Sequence, residues 1–282
     1  MINVGFKAGN GMKKAVPWLL VFFIVLMIIS AYSNTLSSPP YLDDAHSFID
    51  VKAFYPHCLS LASLLAIART PFGWGRFLPD VTFALNHYFG HSKLIYFHAV
   101  NILIHILAFL AVLWFVRESL AAEKNRYPLS ERSYELAGIF PLCVAALWAL
   151  SPVQTSGVTY LVQRMASMQA LFFTLSSASF LKARLLSERK TRTAFLFYTL
   201  CGLFALCAGL SKENSAMLPV VLAVIDIWFF DSVWLKRIWD VCRKTGWKIR
   251  TFTAVVFIWL AYYGFSAVLP KLLAEYPARD FT

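Results

Sequence analysis

The 282-residue chain has little charge, because Asp, Glu, Lys and Arg make up 15% of it and hydrophobic residues 59%. This composition excludes an ordinary soluble domain, in which about a quarter of the residues are charged. The chain has five cysteines, and no two have the Cys-x-x-Cys spacing of a zinc or redox site. The sequence also has no low-complexity segment. It has no clear internal repeat either, whereas many transporter folds are built from internal repeats.

Long apolar runs are what the chain does have, and they predict an all-α fold, a polytopic bundle of transmembrane helices. The N-terminal run follows three lysines and lacks a small-residue cleavage site, so we expect an uncleaved helix. We treat residues 1–282 as one transmembrane domain whose outer loop bears short interfacial helices. The predicted spans number about seven and lie roughly at 15–33, 94–116, 136–151, 164–181, 194–210, 215–230 and 252–269.

The distribution of basic residues predicts the orientation of the bundle. Eighteen of the 26 Lys and Arg residues lie in the N-terminus or in three alternate loops, whereas the acidic residues divide evenly between the two sides. A basic bias of this kind marks the cytoplasmic side. The opposite face receives residues 34–93, the turns near 151–163 and 211–214, and the tail after Pro270. The net charge of +11 is thus a topology signal, and we expect lipid bilayer and no nucleic acid as partner.

Two adjacent carboxylates, Asp43 and Asp44, follow the first span on the outer face. Carboxylates can bind a divalent cation such as Mg or Mn, or they can deprotonate an acceptor hydroxyl. A helix N-cap or a solvated loop is the alternative interpretation. We predict Asp43 and Asp44 as catalytic residues and as candidate metal ligands, and the sequence does not separate the two roles.

Further polar residues approach the same face and are candidates for substrate binding. Arg164 begins a span and suits a phosphate, although interfacial snorkelling is the commoner fate of such an arginine. Lys212 and Glu213 join two apolar runs and are costly at membrane depth unless paired or functional, and a simple polar turn is the alternative. Arg76 lies in an aromatic-rich stretch that suits a sugar, a lipid headgroup or an interfacial belt.

One stripe of the second span is polar, because His98, Asn101 and His105 follow one another at spacings of three and four residues. We expect them to point into the bundle. Interhelical hydrogen bonds are favoured over metal ligation, since no third ligand with metal spacing is evident nearby. We also keep His98 and Asn101 as candidate substrate contacts.

Five motifs stand in the order found in one enzyme family. They are Leu42-Asp43-Asp44, Arg76-Phe77-Leu78-Pro79, the run from Phe97 to His105, the run from Ser151 to Arg164, and Leu210-Ser211-Lys212-Glu213-Asn214. The set resembles the multi-span GT-C glycosyltransferases, particularly bacterial relatives of protein O-mannosyltransferases, which are often fused to tetratricopeptide repeats. The resemblance covers about residues 40–280, and beside this family the chain looks truncated at its C-terminus.

The resemblance implies transfer of a sugar from a polyprenyl-phosphate donor to a protein or glycan acceptor, on the outer face of a bacterial inner membrane. Asp43 or Asp44 would be the catalytic acidic residue. Arg164 and Lys212 would face the donor phosphate, and Glu213 would position that lysine or the acceptor. Two alternatives remain open: a transporter or flippase of lipid-linked glycans, which needs no acidic base, and a non-catalytic anchor for a missing soluble domain.

Overall fold

Every regular element is a helix in the part of the protein that the computed structural model describes. That part comprises residues 10–41, 43–44, 51–55, 60–69, 73–90, 93–126, 131–188 and 192–230. The α-helices in chain order are α1 Asn10–Tyr32, α2 Leu61–Ala68, α3 Phe77–Gly90, α4 Leu94–Arg126, α5 Glu131–Ala149, α6 Thr155–Thr159, α7 Arg164–Glu188, α8 Thr193–Gly209 and α9 Leu218–Phe230. Single turns of 3-10 helix occur at Ser33–Ser37, Lys52–Phe54, Gly73–Arg76, Pro152–Gln154, Leu161–Gln163 and Glu213–Met217.

The helical fold is as predicted, but the number of spans is not supported. Three stretches are long and apolar enough to cross a membrane, namely Trp18–Ser37, Leu94–Asn125 and Glu213–Phe230. A fourth arises if the bent pair Ile139–Ala149 and Pro152–Thr159 is one span. The described residues therefore carry three or four candidate spans, and the predicted span at 252–269 lies outside them.

Two of the predicted spans fall short for different reasons. Helix α8 has 17 residues, which is brief for a hydrocarbon core about 30 Å thick. Helix α7 has 25 residues but is too polar, because it begins with Arg164 and carries serines that are buried at Ser176, Ser177 and Ser179. It packs against both α4 and α8, and α8 supplies an acceptor for one of these serines. The Ser176 hydroxyl donates to the Cys201 carbonyl of α8 at 2.9 Å.

A bend of 50° separates α5 from the helical turns that follow it. Pro152 explains the bend, because proline disfavours the helical conformation in the residue before it. Ser151 is accordingly extended, with ψ of 133°, and its hydroxyl oxygen accepts the Val153 N–H. The redirected chain then runs through α6 and one 3-10 turn to Arg164, the first residue of α7.

The short helices predicted for the outer loop are present as Lys52–Phe54 and α2, with α3 after them. Ser60 caps α2, because its hydroxyl oxygen accepts the Ser63 N–H. The backbone N–H of Leu78 donates to the Leu210 carbonyl at 3.0 Å, which ties the start of α3 to the end of α8. An apolar cluster beneath these helices contains Phe54, Ile67, Phe83, Ala84, Phe97 and Leu161.

Candidate functional site

Asp44 is buried and joins the outer loop to the turn before α7. One carboxylate oxygen accepts the N–H of Tyr41 at 2.9 Å, and the other accepts the N–H of Val162, also at 2.9 Å. Only 1% of the residue is exposed. Burial raises the pKa of the Asp44 carboxyl, and the two amide donors limit that rise. Asp44 therefore fastens two segments that are 118 residues apart in the sequence.

Asp43 differs from its neighbour, because it is exposed. Its backbone N–H donates to the hydroxyl oxygen of Tyr160 at 3.1 Å. Burial raises the pKa of the Tyr160 hydroxyl; the Asp43 N–H partly offsets this rise, and the Asp43 and Asp44 carboxylates add to it, so the phenol keeps its proton. Tyr41 packs edge-on against the same ring, with 6.2 Å between ring centroids. The Asp43 carboxylate thus lies open beside a protonated phenol.

Arg164 is fully buried, with 0% exposure, and connects three helices. Its Nε atom donates to the side-chain oxygen of Asn101 at 2.7 Å, and one terminal nitrogen donates to the side-chain oxygen of Asn86, also at 2.7 Å. The same nitrogen reaches the Thr82 hydroxyl at 3.1 Å, and the other reaches the Phe97 carbonyl at 2.9 Å. All of these acceptors are neutral. The complete burial of Arg164 shows that the snorkelling alternative does not describe it.

The polar stripe of α4 points into the bundle, as predicted, since His98, Asn101 and His105 are each at most 3% exposed. Asn101 donates to the Val158 carbonyl at 3.2 Å. The His98 Nε2 lies 3.2 Å from the Ser38 carbonyl, and the His105 Nε2 lies 2.9 Å from the Ala149 carbonyl. A carbonyl can only accept, so these Nε2 atoms carry the ring protons. The stripe thus holds three other segments of the chain, at Ser38, Ala149 and Val158, against α4.

A second group of predicted residues meets where α3 begins and α8 ends. The Nε atom of Arg76 lies 3.5 Å from a carboxylate oxygen of Glu213. The Glu213 side chain is 58% exposed and that of Arg76 is 20% exposed, so the pair is open to ligands. Lys212 is half-buried beside it, with its backbone N–H bonded to the Ala208 carbonyl at 3.2 Å.

The fit to a divalent cation is incomplete. Both Asp44 oxygens already accept an amide N–H, and of the two carboxylates only that of Asp43 is exposed. Over the described ranges, no three His, Cys, Asp or Glu residues form a group that could hold a metal ion. The metal role of Asp43 and Asp44 stays a prediction.

Sequence reasoning missed several contributors to this site. Tyr160 belongs to a motif that was noted, but nothing in the sequence paired it with Asp43. Thr82 and Asn86 are one helical turn apart on α3, and this spacing is the signal that could have marked them as partners of one buried group. The amides of Tyr41 and Val162 are backbone groups, which side-chain patterns do not reveal.

The opposite end of the same helices carries two ion pairs. The Lys182 ammonium of α7 contacts both Glu118 oxygens of α4 at 3.1 and 3.3 Å. The Arg184 Nε of α7 lies 2.6 Å from an oxygen of Asp226, which is fully buried in α9. The Trp114 indole N–H also donates to Glu118 at 3.1 Å. These pairs fix α4, α7 and α9 relative to one another.

Comparison with known proteins shows two curated relatives, while no family model and no solved structure matches the chain. The chain is 33% identical to human protein O-mannosyl-transferase TMTC4 over 152 residues, which are 53% of this chain and 20% of that protein. It is 27% identical to Xenopus laevis protein O-mannosyl-transferase tmtc2 over 168 residues, which are 59% of this chain and 18% of that protein. The matches span about a fifth of the length of these relatives. With its apolar helices, the chain is a membrane protein that is distantly similar to protein O-mannosyl-transferases.

Proposed function

We propose that the chain is the membrane part of a glycosyltransferase that moves a sugar from a polyprenyl-phosphate donor to a hydroxyl group of a protein or glycan. The names of the two relatives favour mannose as the sugar and protein as the acceptor. The reaction takes place on the non-cytoplasmic face, where the charge pattern puts Asp43. The observation that carries the proposal is the exposed Asp43, held beside Tyr160 by the buried clamp of Asp44. A bacterial source stays a prediction, since both relatives are animal proteins.

The two aspartates have different roles in this proposal. Asp44 is buried, and each of its oxygens accepts a backbone amide, so it positions the loop. Asp43 is exposed, and its carboxylate can reach a substrate. We therefore assign the general base to Asp43, and Asp44 is a positioning residue.

In the proposed step, the acceptor hydroxyl oxygen attacks C1 of the sugar while the bond from C1 to the phosphate oxygen breaks. The electron pair of that bond leaves with the phosphate, which departs as polyprenyl phosphate. The proton of the acceptor hydroxyl passes to the Asp43 carboxylate, which the Tyr160 hydroxyl orients. A well-placed general base contributes about 10²- to 10⁴-fold to the rate.

Positive charge near the leaving phosphate lowers the barrier, because negative charge develops there. Arg76 and Lys212 are partly exposed, so they are better candidates than Arg164 for direct contact with the substrate. Arg164 is fully buried, and its hydrogen bonds go to neutral protein acceptors, so its burial favours a positioning role. Glu213 lies near Arg76 and can hold that guanidinium toward the substrate.

A transfer assay in membranes tests the proposal. The full-length protein is incubated with polyprenyl-phosphate mannose labelled in the sugar, and covalent label is measured in protein and glycan. We expect label to appear with the wild type and with the control Glu123→Gln, which lies near the other end of α4. Asp43→Asn should abolish it. Label that crosses the membrane without covalent transfer would support the flippase alternative and contradict the proposal.

A further inference from the structure

A groove with a volume of about 320 Å³ lies between the end of α3 and the start of α4. Its lining is mostly apolar and includes Phe89, Gly90, Tyr96, Ala99 and Leu103, with Asn86 as a polar member. The two helices approach each other closely beside the groove. A Cβ atom added at Gly90 would lie only 2.7 Å from the Tyr96 ring. The absence of a side chain at Gly90 thus lets Tyr96 pack against the end of α3, and the groove lies beside this contact.

The groove lies at the level where a membrane span begins. Helix α4 is a candidate span from Leu94, and Tyr96, Ala99 and Leu103 belong to its first three turns. Phe89 is 70% exposed and Tyr96 is 48% exposed, as in the aromatic belts of membrane proteins. An apolar groove at this depth faces hydrocarbon chains, so its natural occupant is part of a lipid.

A basic residue, Lys93, lies next to the groove. The Lys93 N–H donates to the Gly90 carbonyl at 3.0 Å, and the Lys93 carbonyl accepts the Tyr96 N–H at 3.1 Å. Lys93 therefore contacts two lining residues through its backbone, and it is exposed. A lysine next to the first residue of a span lies at headgroup level, where its ammonium can bind a phosphate.

The groove also connects with the candidate active site. The Asn86 side-chain nitrogen donates to the Tyr96 carbonyl at 3.3 Å, and its oxygen accepts from Arg164. Arg164 in turn donates to Asn101. The Asn101 amide donates to the Val158 carbonyl, four residues before the Val162 amide that Asp44 accepts. One hydrogen-bonded series thus runs from the groove to the turn beside Asp43.

We infer that this groove binds the donor lipid, with the phosphate-proximal isoprene units against Ala99 and the phosphate at Lys93. A volume of about 320 Å³ holds only part of such a chain, so the rest extends into the bilayer. The inference rests on the proposed function for the identity of the lipid. It adds the place of binding and a cationic residue, Lys93, that the sequence motifs did not indicate.

Photocrosslinking tests the site without measuring transfer. The full-length protein in nanodiscs receives polyprenyl phosphate with a diazirine near the phosphate, and the labelled peptide is identified by mass spectrometry. Competitors are unlabelled polyprenyl phosphate and phosphatidylglycerol. We expect crosslinks within residues 86–103 that polyprenyl phosphate displaces at least tenfold better than phosphatidylglycerol does. Crosslinks elsewhere would overturn the inference, and so would equal displacement, which indicates a general site for anionic lipid.

Two variants and two matched controls sharpen the result. Ala99→Phe fills the groove, and Lys93→Gln removes its charge; each should reduce crosslinking about tenfold, the effect of losing one charge-assisted hydrogen bond or one buried group. Gly202→Phe adds the same bulk to an exposed site in α8 with open space around it, and Lys52→Gln neutralises another exposed lysine. Both controls should crosslink like the wild type. Wild-type crosslinking in Ala99→Phe and Lys93→Gln would overturn the inference.

Failure of this inference and failure of the proposed function are distinguishable. Crosslinks within 86–103 in a protein that transfers no sugar would leave the lipid site standing and remove the proposed reaction. Sugar transfer with crosslinks outside 86–103 would keep the reaction and remove the site.

Discussion

The two ends of helices α4 and α7 hold buried charge in opposite ways. At one end, Lys182 pairs with Glu118 and Arg184 pairs with Asp226. At the other end, Arg164 and Asp44 are buried as well, but their hydrogen bonds go to neutral groups of the protein. Paired charges cancel and fix the helices. Arg164 and Asp44 are held by neutral dipoles and instead fix the segments around Asp43, where the proposed transfer takes place.

The difference also concerns how the chain is connected. The ion pairs join one helix to another, and each can be replaced in principle by two apolar side chains. Arg164 joins α7 to several groups on α3 and α4, while Asp44 joins two loops. No single compensating substitution can replace such a set. The end with the candidate active site should therefore be the more sensitive to mutation.

Arg164→Met should have the largest effect. It leaves the buried oxygens of Thr82, Asn86 and Asn101 without their donor, at about 1–3 kcal/mol for each buried group left unsatisfied. The total is comparable with the whole stability of a domain, so we expect little folded protein in detergent, measured by size-exclusion chromatography. Arg164→Lys should fare nearly as badly, because an ammonium cannot reproduce the planar fork. The control Arg117→Gln, at an exposed position, should behave as wild type; a well-folded Arg164→Lys would contradict the account.

Breaking one ion pair at the other end should cost about 3–5 kcal/mol, because the remaining charge is buried and unpaired. Asp226→Leu and Arg184→Met should each lower the thermal unfolding temperature. The double variant should recover much of the loss, because no lone charge remains. If the loss in stability of the double variant equals the sum of the two single losses, Arg184 and Asp226 do not act as a pair. That result would contradict the contrast between the two ends of the helices.

Asp44→Asn should lower stability by about 2 kcal/mol, since an amide has one acceptor oxygen for two backbone donors. Asp43→Asn should change stability by less than about 0.5 kcal/mol, because Asp43 is exposed. Denaturation curves of both variants in the same detergent measure the difference. Equal stability of Asp43→Asn and Asp44→Asn would remove the distinction between the two aspartates.

The pH dependence should be the smallest effect. Because burial raises the folded-state pKa of Asp44 above the unfolded value, the folded protein takes up this proton at higher pH than the unfolded chain does. Stability from this group is therefore gained as pH falls through the folded pKa and lost as pH rises through it. The stability gap between wild type and Asp44→Asn should widen as pH is lowered from 7 towards the folded-state pKa. A gap that narrows would contradict the sign of this shift.

The sequence predicted the parts of this fold that depend on local pattern. The apolar runs indicated α1, α4 and α9 as spans, and the spacing of His98, Asn101 and His105 indicated a buried stripe, which the structure confirms. The sequence failed at α7, because that helix is too polar to stand out as a span by itself and packs against α4 and α8, where Ser176 finds its acceptor in α8. It also left Asp43 and Asp44 equivalent, because one of the two amides that bind Asp44 belongs to Val162, 118 residues away in the sequence.

The most direct test of the account compares the rates of sugar transfer by wild type, Asp43→Asn and Asp44→Asn, each normalised to folded protein. If Asp43 is the base, Asp43→Asn should lose about 100-fold or more in rate while it unfolds at the wild-type temperature. Asp44→Asn should unfold at a lower temperature and keep measurable transfer in its folded fraction. A wild-type rate for Asp43→Asn, or the full loss confined to Asp44→Asn, would contradict the assignment of the outer end as the transfer site with Asp43 as its base.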